Sequence, residues 1–384
     1  MFYHKLGKIP RKRHVVYKSE EGSLFREQLM GLEGFSGISS LLYKHRLPTS
    51  TIRMESVQVE TSEMESAYQQ LECQHFKTAQ LTLDDSVIQA RIPLLKNEQV
   101  SIGVSSLTSD MILRNASHHE LYFLEEGRGV LESEFGSLDV VPGDYVSIPK
   151  GITYQWQFES LAKYLLIQSL EPIVFPRRYL NSMGQFLESS PVCERDIRIP
   201  NRLVTQQEAG IFKVLIHRRG QYFEQILDHH PFDAVGWDGY LYPYAISIHD
   251  FEPIVGRLHQ PPPVHQIFQS KHFVVCNFVP RLFDFHPEAV PAPYYHSNHD
   301  SDEVLYYVEG NFMSRKGVEK GSITLHPMGL PHGPQPGKVE DSIGVRETNE
   351  LAVMVDTFQP LTVTKKARQI AQVDYMESWL EDRR

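Results

Sequence analysis

Two stretches of the chain concentrate side chains able to bind a cation. PYYHSNHDSDEVLYYVEG (293–310) carries His296, His299, Asp300, Asp302 and Glu303, and ITLHPMGLPHGP (323–334) carries His326 and His332. Two imidazoles and one carboxylate on one face of an ion leave its opposite face open. That arrangement suits a non-haem Fe(II) that takes both an organic substrate and O2, although Mn, Zn and Ni accept the same donors. Glu303 opens an apolar run, and His332 sits between a proline and a glycine that turn the chain back. For the first imidazole two residues compete. Strand residues at i and i+4 share a face, which favours His299, whereas a loop stiffened by Pro293, Tyr294 and Tyr295 presents His296 equally well. A histidine beside an aspartate on a loop is ordinarily a solvated surface group. The metal reading rests on the conjunction of members rather than on any one of them.

These residues need a scaffold, and the surrounding sequence reads as β. Segments 137–151, 162–175, 271–279, 303–310 and 350–358 are short, apolar or alternating, and bounded by Gly and Pro, the pattern of a sandwich or small barrel. Helical periodicity is confined to Ser62–Leu71 and to the terminal KKARQIAQVDYMESWLEDRR, which predicts an amphipathic helix. An internal repeat organises the chain. Glu120 to Gly127 and Glu303 to Gly310 are both Glu-x6-Gly, and 142–154 aligns with 320–332 when Gly143 is matched to Gly321. The first copy has His118 and His119 directly against Glu120, so the three point different ways along a strand, and Tyr154 stands where the second copy has His332. The first lobe is therefore expected to hold no metal and to serve structure.

Composition limits the function classes. With 41% hydrophobic and 22% charged residues the chain is globular. Its net charge of −10 argues against nucleic-acid or anionic-membrane partners. Cys73, Cys193 and Cys276 form no CxxC pair, which disfavours a disulfide framework or a thiolate zinc site. The basic N-terminus is followed by no apolar stretch and no run approaches membrane-spanning length, so a cytoplasmic enzyme or binding protein is expected.

A histidine upstream of Glu-x6-Gly, then Gly, Pro-x-Gly and a late histidine, resembles the cupin superfamily. Two copies make the expected fold mainly β: two cupin-type β-barrels or jelly rolls, a bicupin, with few short helices. Residues 1–190 would form a degenerate, structural N-terminal lobe and residues 191–384 the metal-binding catalytic lobe. In finer detail the chain resembles the homogentisate 1,2-dioxygenase family over nearly its full length, from LFREQLMGLEGFSG (24–37) through PYYHSN, DEVLYYVEG and ITLHPMGLPHGP. The resemblance implies Fe(II) held by His296, Glu303 and His332, with Tyr294, His326 and His332 bordering the substrate. His259, in LHQPPP with His265 close by, would be the acid–base residue, a task suited to imidazole. It also implies cleavage of homogentisate by O2 to maleylacetoacetate in tyrosine and phenylalanine catabolism, by a homo-oligomer. Six residues separate His296 from Glu303, one more than in the animal and proteobacterial members, so Asp302 falls at their carboxylate spacing and His299 stays in reserve. Other readings are an Fe(II) dioxygenase for gentisate or another hydroquinone acid, and a bicupin that binds metal or a small ligand without catalysis.

Overall fold

The computed structural model describes every residue except 1, 61, 68–69, 82–86, 108–110, 311, 313, 316 and 381–384. Strands dominate, and among the described residues the two α-helices, Lys338–Ser342 and Lys365–Gln369, have five residues each. None is long and apolar enough to cross a membrane. Every segment expected to be extended contains a strand: Gly136–Val140 and Asp144–Ile148, Ala162–Ser169, Phe273–Phe278, Asp302–Glu309 and Leu351–Thr357. They assemble into two cupin-type lobes. Two seven-stranded sheets build the first lobe, and a six-stranded sheet carries the second.

The repeat is structural. His119–Glu126 and Asp302–Glu309 each end against a glycine with positive φ, +95° at Gly127 and +101° at Gly310. A side chain would also collide there: a Cβ at Gly127 would lie 2.7 Å from that of Ala162, and one at Gly310 would lie 2.4 Å from the Asn349 carbonyl. Only glycine takes this turn without strain. The partner strands match as well. Glu120 pairs with Ile148 and Gln168, while Glu303 pairs with His326 and Asp356.

The lobes are interlocked rather than consecutive. Ala209–Arg218 and Gln221–His229 pair with each other and with Ile112–Asn115 and Thr51–Val57, and Tyr244–Ser247 pairs with Asp144–Ile148. The expected division at 190/191 thus falls inside the hydrogen bonding of the first lobe, which extends to Ser247. In return, Gln74–Lys77 adds a strand beside Ser322–His326 of the second lobe, and Thr362–Val363 pairs with Leu95–Lys96 of the first. Such exchange covers sheet edges that would otherwise expose unpaired amides. One core runs through both lobes, with Phe123 against Tyr145 and Tyr306, and Tyr145 against Phe268.

Both expected helices yield to this packing. The Ser62–Leu71 region forms a single 3-10 turn, Ser62–Met64, with Tyr68 and Gln69 outside the described residues. At the C-terminus the helix stops at Gln369 because Ala371 bridges to Phe76 and the Gln372 amide donates to the His75 carbonyl at 2.8 Å. Tertiary β-pairing outweighs local helix propensity there. The chain then makes a 3-10 turn at Tyr375–Trp379.

The first lobe answers its buried Glu120 from within. Arg91 forms an ion pair with it. Tyr154 donates to its Oε2 at 2.6 Å, and Asn115 and Gln168 donate to Oε1 at 2.9 and 3.0 Å. Arg91 also donates to Tyr122 at 2.8 Å. The guanidinium supplies the positive charge that a buried carboxylate needs. Arg91→Met should therefore strand Glu120 as an uncompensated charge and cost about 3–5 kcal/mol. Chemical denaturation checks this, and Arg91→Met combined with Glu120→Leu should recover part of the loss.

Candidate metal centre

Three elements converge at one end of the second lobe. Asp302–Glu309 presents Glu303, the loop before it brings His296, and the turn after Ser322–His326 brings His332. The two loops are tied by a β-bridge: the His296 amide donates to the His332 carbonyl at 2.9 Å, and the reverse bond is 2.8 Å. Their imidazoles consequently lie 4.3 Å apart, inclined at 62°. Gly333 makes this possible, since at φ +155° a Cβ would stand 2.8 Å from the Tyr295 ring. Trp379 donates its indole N–H to the Gly333 carbonyl at 3.1 Å, pinning the same turn.

The donor atoms of His296, Glu303 and His332 all lie within 4.8 Å of one another. His296 Nε2 is 3.5 Å from Glu303 Oε2, and His332 Nε2 is 3.6 Å from Oε1. Two ligands each about 2.1 Å from one ion lie at most about 4.2 Å apart, so these separations suit a shared cation. The tautomers are also set for it. His296 Nδ1 donates to the Tyr294 carbonyl at 3.2 Å and His332 Nδ1 to the Leu330 carbonyl at 3.0 Å, which leaves both Nε2 lone pairs facing Glu303. At 3.6 Å the His332 contact is too long for a hydrogen bond, and its Nε2 is buried without a partner. A buried, preset and unsatisfied lone pair beside a carboxylate fits a metal ion.

The ring of charge around Glu303 is finely balanced. Burial pushes its carboxyl up, but the surrounding His296, His326 and His332 outweigh burial and hold it well below the ordinary range. The Glu303 carboxylate beside it in turn holds His296 above the ordinary imidazole value. His326, fully buried, is pushed down to about 4 by desolvation, so it is neutral and donates Nδ1–H to Glu303 Oε1 at 2.7 Å. Across the strand from Glu303, Asp356 is raised to about 8 by burial and by the Glu303 charge. It is therefore protonated at neutral pH and adds no second negative charge.

A cavity of about 410 Å³ opens beside His296 and Glu303, within the range of roughly 300–1,000 Å³ usual for small-molecule sites. Tyr294 and His259 border it. The resemblance put His326 and His332 beside the substrate as well, but neither is on the cavity wall. Both are fully buried and stacked with centroids 4.6 Å apart, His326 behind the carboxylate it orients. His259 has Asp284 3.6 Å from Nδ1 and meets the Tyr294 ring edge-on at 5.0 Å. His265 also borders the cavity, but desolvation pushes it down to about 3, leaving it neutral.

The two reserve ligands are placed elsewhere. His299 is exposed and outside the cluster. Asp302 accepts the Met328 and Leu361 amides at 2.8 and 2.7 Å, so both of its oxygens are committed to the backbone. Adjacent strand residues face opposite ways, and here Glu303 faces the histidines. Sequence reasoning missed Asp356 and Arg315, both of which border the cavity. An acid inside the apolar run ELAVMVDTF was a legible signal for the former. Nothing local marks Arg315. A second cavity, of about 500 Å³ beside Glu60, Gln80 and Lys366, contains no comparable cluster among the described residues.

The family models described as homogentisate 1,2-dioxygenase N-terminal and C-terminal match residues 53–248 and 246–383. A Saccharolobus solfataricus protein that carries a provisional dioxygenase name is 41% identical over 99% of both chains. A homogentisate 1,2-dioxygenase from Bradyrhizobium diazoefficiens is 26% identical over 70% of this chain, which spans 63% of that protein. A cupin 2 conserved barrel domain protein from Leptotrichia buccalis, 11% identical, superposes with a TM-score of 0.31 over 69% of this chain and 86% of its own. So loose a likeness adds nothing to the strand topology.

Ligation requires a neutral His296, and its raised pKa makes protons compete with the ion. Affinity for Zn(II) should be level above that titration and fall about tenfold per pH unit below it, as read by competition with a chelator. Glu303→Gln and His332→Ala should abolish retention of metal through dialysis, while His299→Ala leaves it unchanged.

Proposed function

The chain belongs to the homogentisate 1,2-dioxygenase family, and from that premise we propose that it is an Fe(II)-dependent dioxygenase opening homogentisate with O2 to maleylacetoacetate. The observation that carries this reading is the preset trio of His296, Glu303 and His332 at the edge of a cavity sized for a small aromatic acid. Those three residues hold the iron. Bound Fe(II) supplies the electrons and open positions that ring cleavage by O2 requires.

The chain's own groups do the rest. His259 takes the proton of a ring hydroxyl at Nε2, while Asp284, 3.6 Å from its Nδ1, orients the imidazole. Tyr294, Phe278, Phe312, Leu305 and Met354 enclose the ring in an apolar wall that excludes water. His326 fixes the rotation of the Glu303 carboxylate through a neutral hydrogen bond, a positioning role. The N-terminal lobe is structural, its Glu120 neutralised by Arg91. The enzyme acts in tyrosine and phenylalanine catabolism as a cytoplasmic homo-oligomer.

Anaerobic reconstitution with Fe(II), followed by oxygen uptake on homogentisate, gentisate and related hydroquinone acids, tests the reading. One O2 should be consumed per homogentisate, and only by the iron-loaded protein. Iron-loaded protein that consumes no O2 with any of these acids would sink it. His259→Asn should retain its iron while kcat falls about 100-fold or more.

A further inference from the structure

One charged group at the cavity remains without a task. Arg315 follows the Asp302–Glu309 strand and is only 9% exposed, yet it borders the cavity next to Phe312 and Tyr307. Its Nη1 donates to the Gly333 and Ser314 carbonyls at 2.5 and 3.3 Å. The indole of Trp379 lies 5.7 Å from the guanidinium carbon. These contacts fix the plane of the fork, but Nε is buried with no hydrogen-bond partner. A guanidinium is always charged, and a buried charged donor left unsatisfied is costly.

The second arginine at the cavity is situated differently. Arg281 donates to the Val279 carbonyl at 3.1 Å, lies against Phe278 and Phe283, and has Asp284 and Glu350 as acidic neighbours. Around Arg315 the acidic group is Glu303, which the metal reading claims. A divalent ion on one carboxylate and two neutral imidazoles carries one net positive charge, and Arg315 adds another. The cavity therefore favours an anionic ligand with an acceptor for the guanidinium.

We propose that Arg315 binds the carboxylate of the aromatic acid through its guanidinium and thereby makes the site selective for acids over neutral hydroquinones. This rests on the ring-cleavage reading and names the group that holds the substrate's far end. The buried fork, preset by Gly333 and Trp379, gives the acid one orientation relative to His296 and Glu303.

Calorimetric binding to the Zn(II)-loaded protein, which reads affinity without turnover, tests this with homogentisate, its methyl ester and methylhydroquinone. Wild type should prefer the acid. Arg315→Met should weaken homogentisate roughly 10- to 100-fold, the scale of one charge-assisted hydrogen bond, and leave the two neutral ligands unchanged. Arg315→Lys, which keeps the charge but not the fork, should retain part of the preference and serves if Arg315→Met fails to fold in a thermal melt. Equal weakening of acid and ester, no preference in wild type, or an acid-selective loss in Arg281→Met instead would each overturn the assignment. Oxygen uptake separates the two readings. Acid-selective binding without uptake by iron-loaded wild type defeats ring cleavage alone, whereas uptake by wild type together with an Arg315→Met variant that still prefers the acid as wild type does defeats the Arg315 assignment alone.

Discussion

The second lobe turns on the pair of backbone hydrogen bonds between His296 and His332. They join two loops that arrive from opposite sides of Glu303, and they place two imidazoles close enough to share an ion. Each imidazole is then fixed by a carbonyl of its own loop, Tyr294 or Leu330, so rotation and tautomer follow from the backbone. Gly333 permits the bridge because no side chain fits against Tyr295, and Trp379 holds the turn from the other side. Preorganisation of this kind lowers the entropy lost when a ligand set closes on its ion.

The two lobes solve one electrostatic problem in two ways. Each buries a glutamate at the same place in the repeat, Glu120 or Glu303, and a buried carboxylate needs a nearby positive charge. In the first lobe Arg91, Tyr154, Asn115 and Gln168 surround the carboxylate, and the chain is complete by itself. In the second lobe the corresponding strand partners are His326 and Asp356, and His332 stands in place of Tyr154. Among the described residues, the donor atoms of His296, Glu303 and His332 lie within 4.8 Å of one another, a group that could hold an ion.

Interlocking ties chemistry to stability. Gln74–Lys77, far earlier in the chain, forms the strand beside Ser322–His326, and the C-terminal turn carrying Trp379 packs onto His326, Gly333 and Arg315. The site is thus supported by segments from both ends of the sequence. A unit cut at 190/191 would lose strands from both lobes.

Periodicity and the glycine register located the strands, the repeat and Glu303, because strand faces alternate and the positive-φ turns demand glycine. Residue chemistry singled out the histidines and the inequality of the lobes. Spacing alone could not choose between His296 and His299 or between Glu303 and Asp302. That choice depends on a bridge between residues 36 apart in sequence and on amides from Met328 and Leu361 that occupy Asp302. The terminal helix was misread because its competitor, pairing with Phe76 and His75, lies almost 300 residues away. Arg315 carried no local mark. Only the folded chain buries its guanidinium at the border of the cavity and leaves Nε without a hydrogen-bond partner. Local sequence determined which side chains could bind an ion, and long-range hydrogen bonding decided which of them meet.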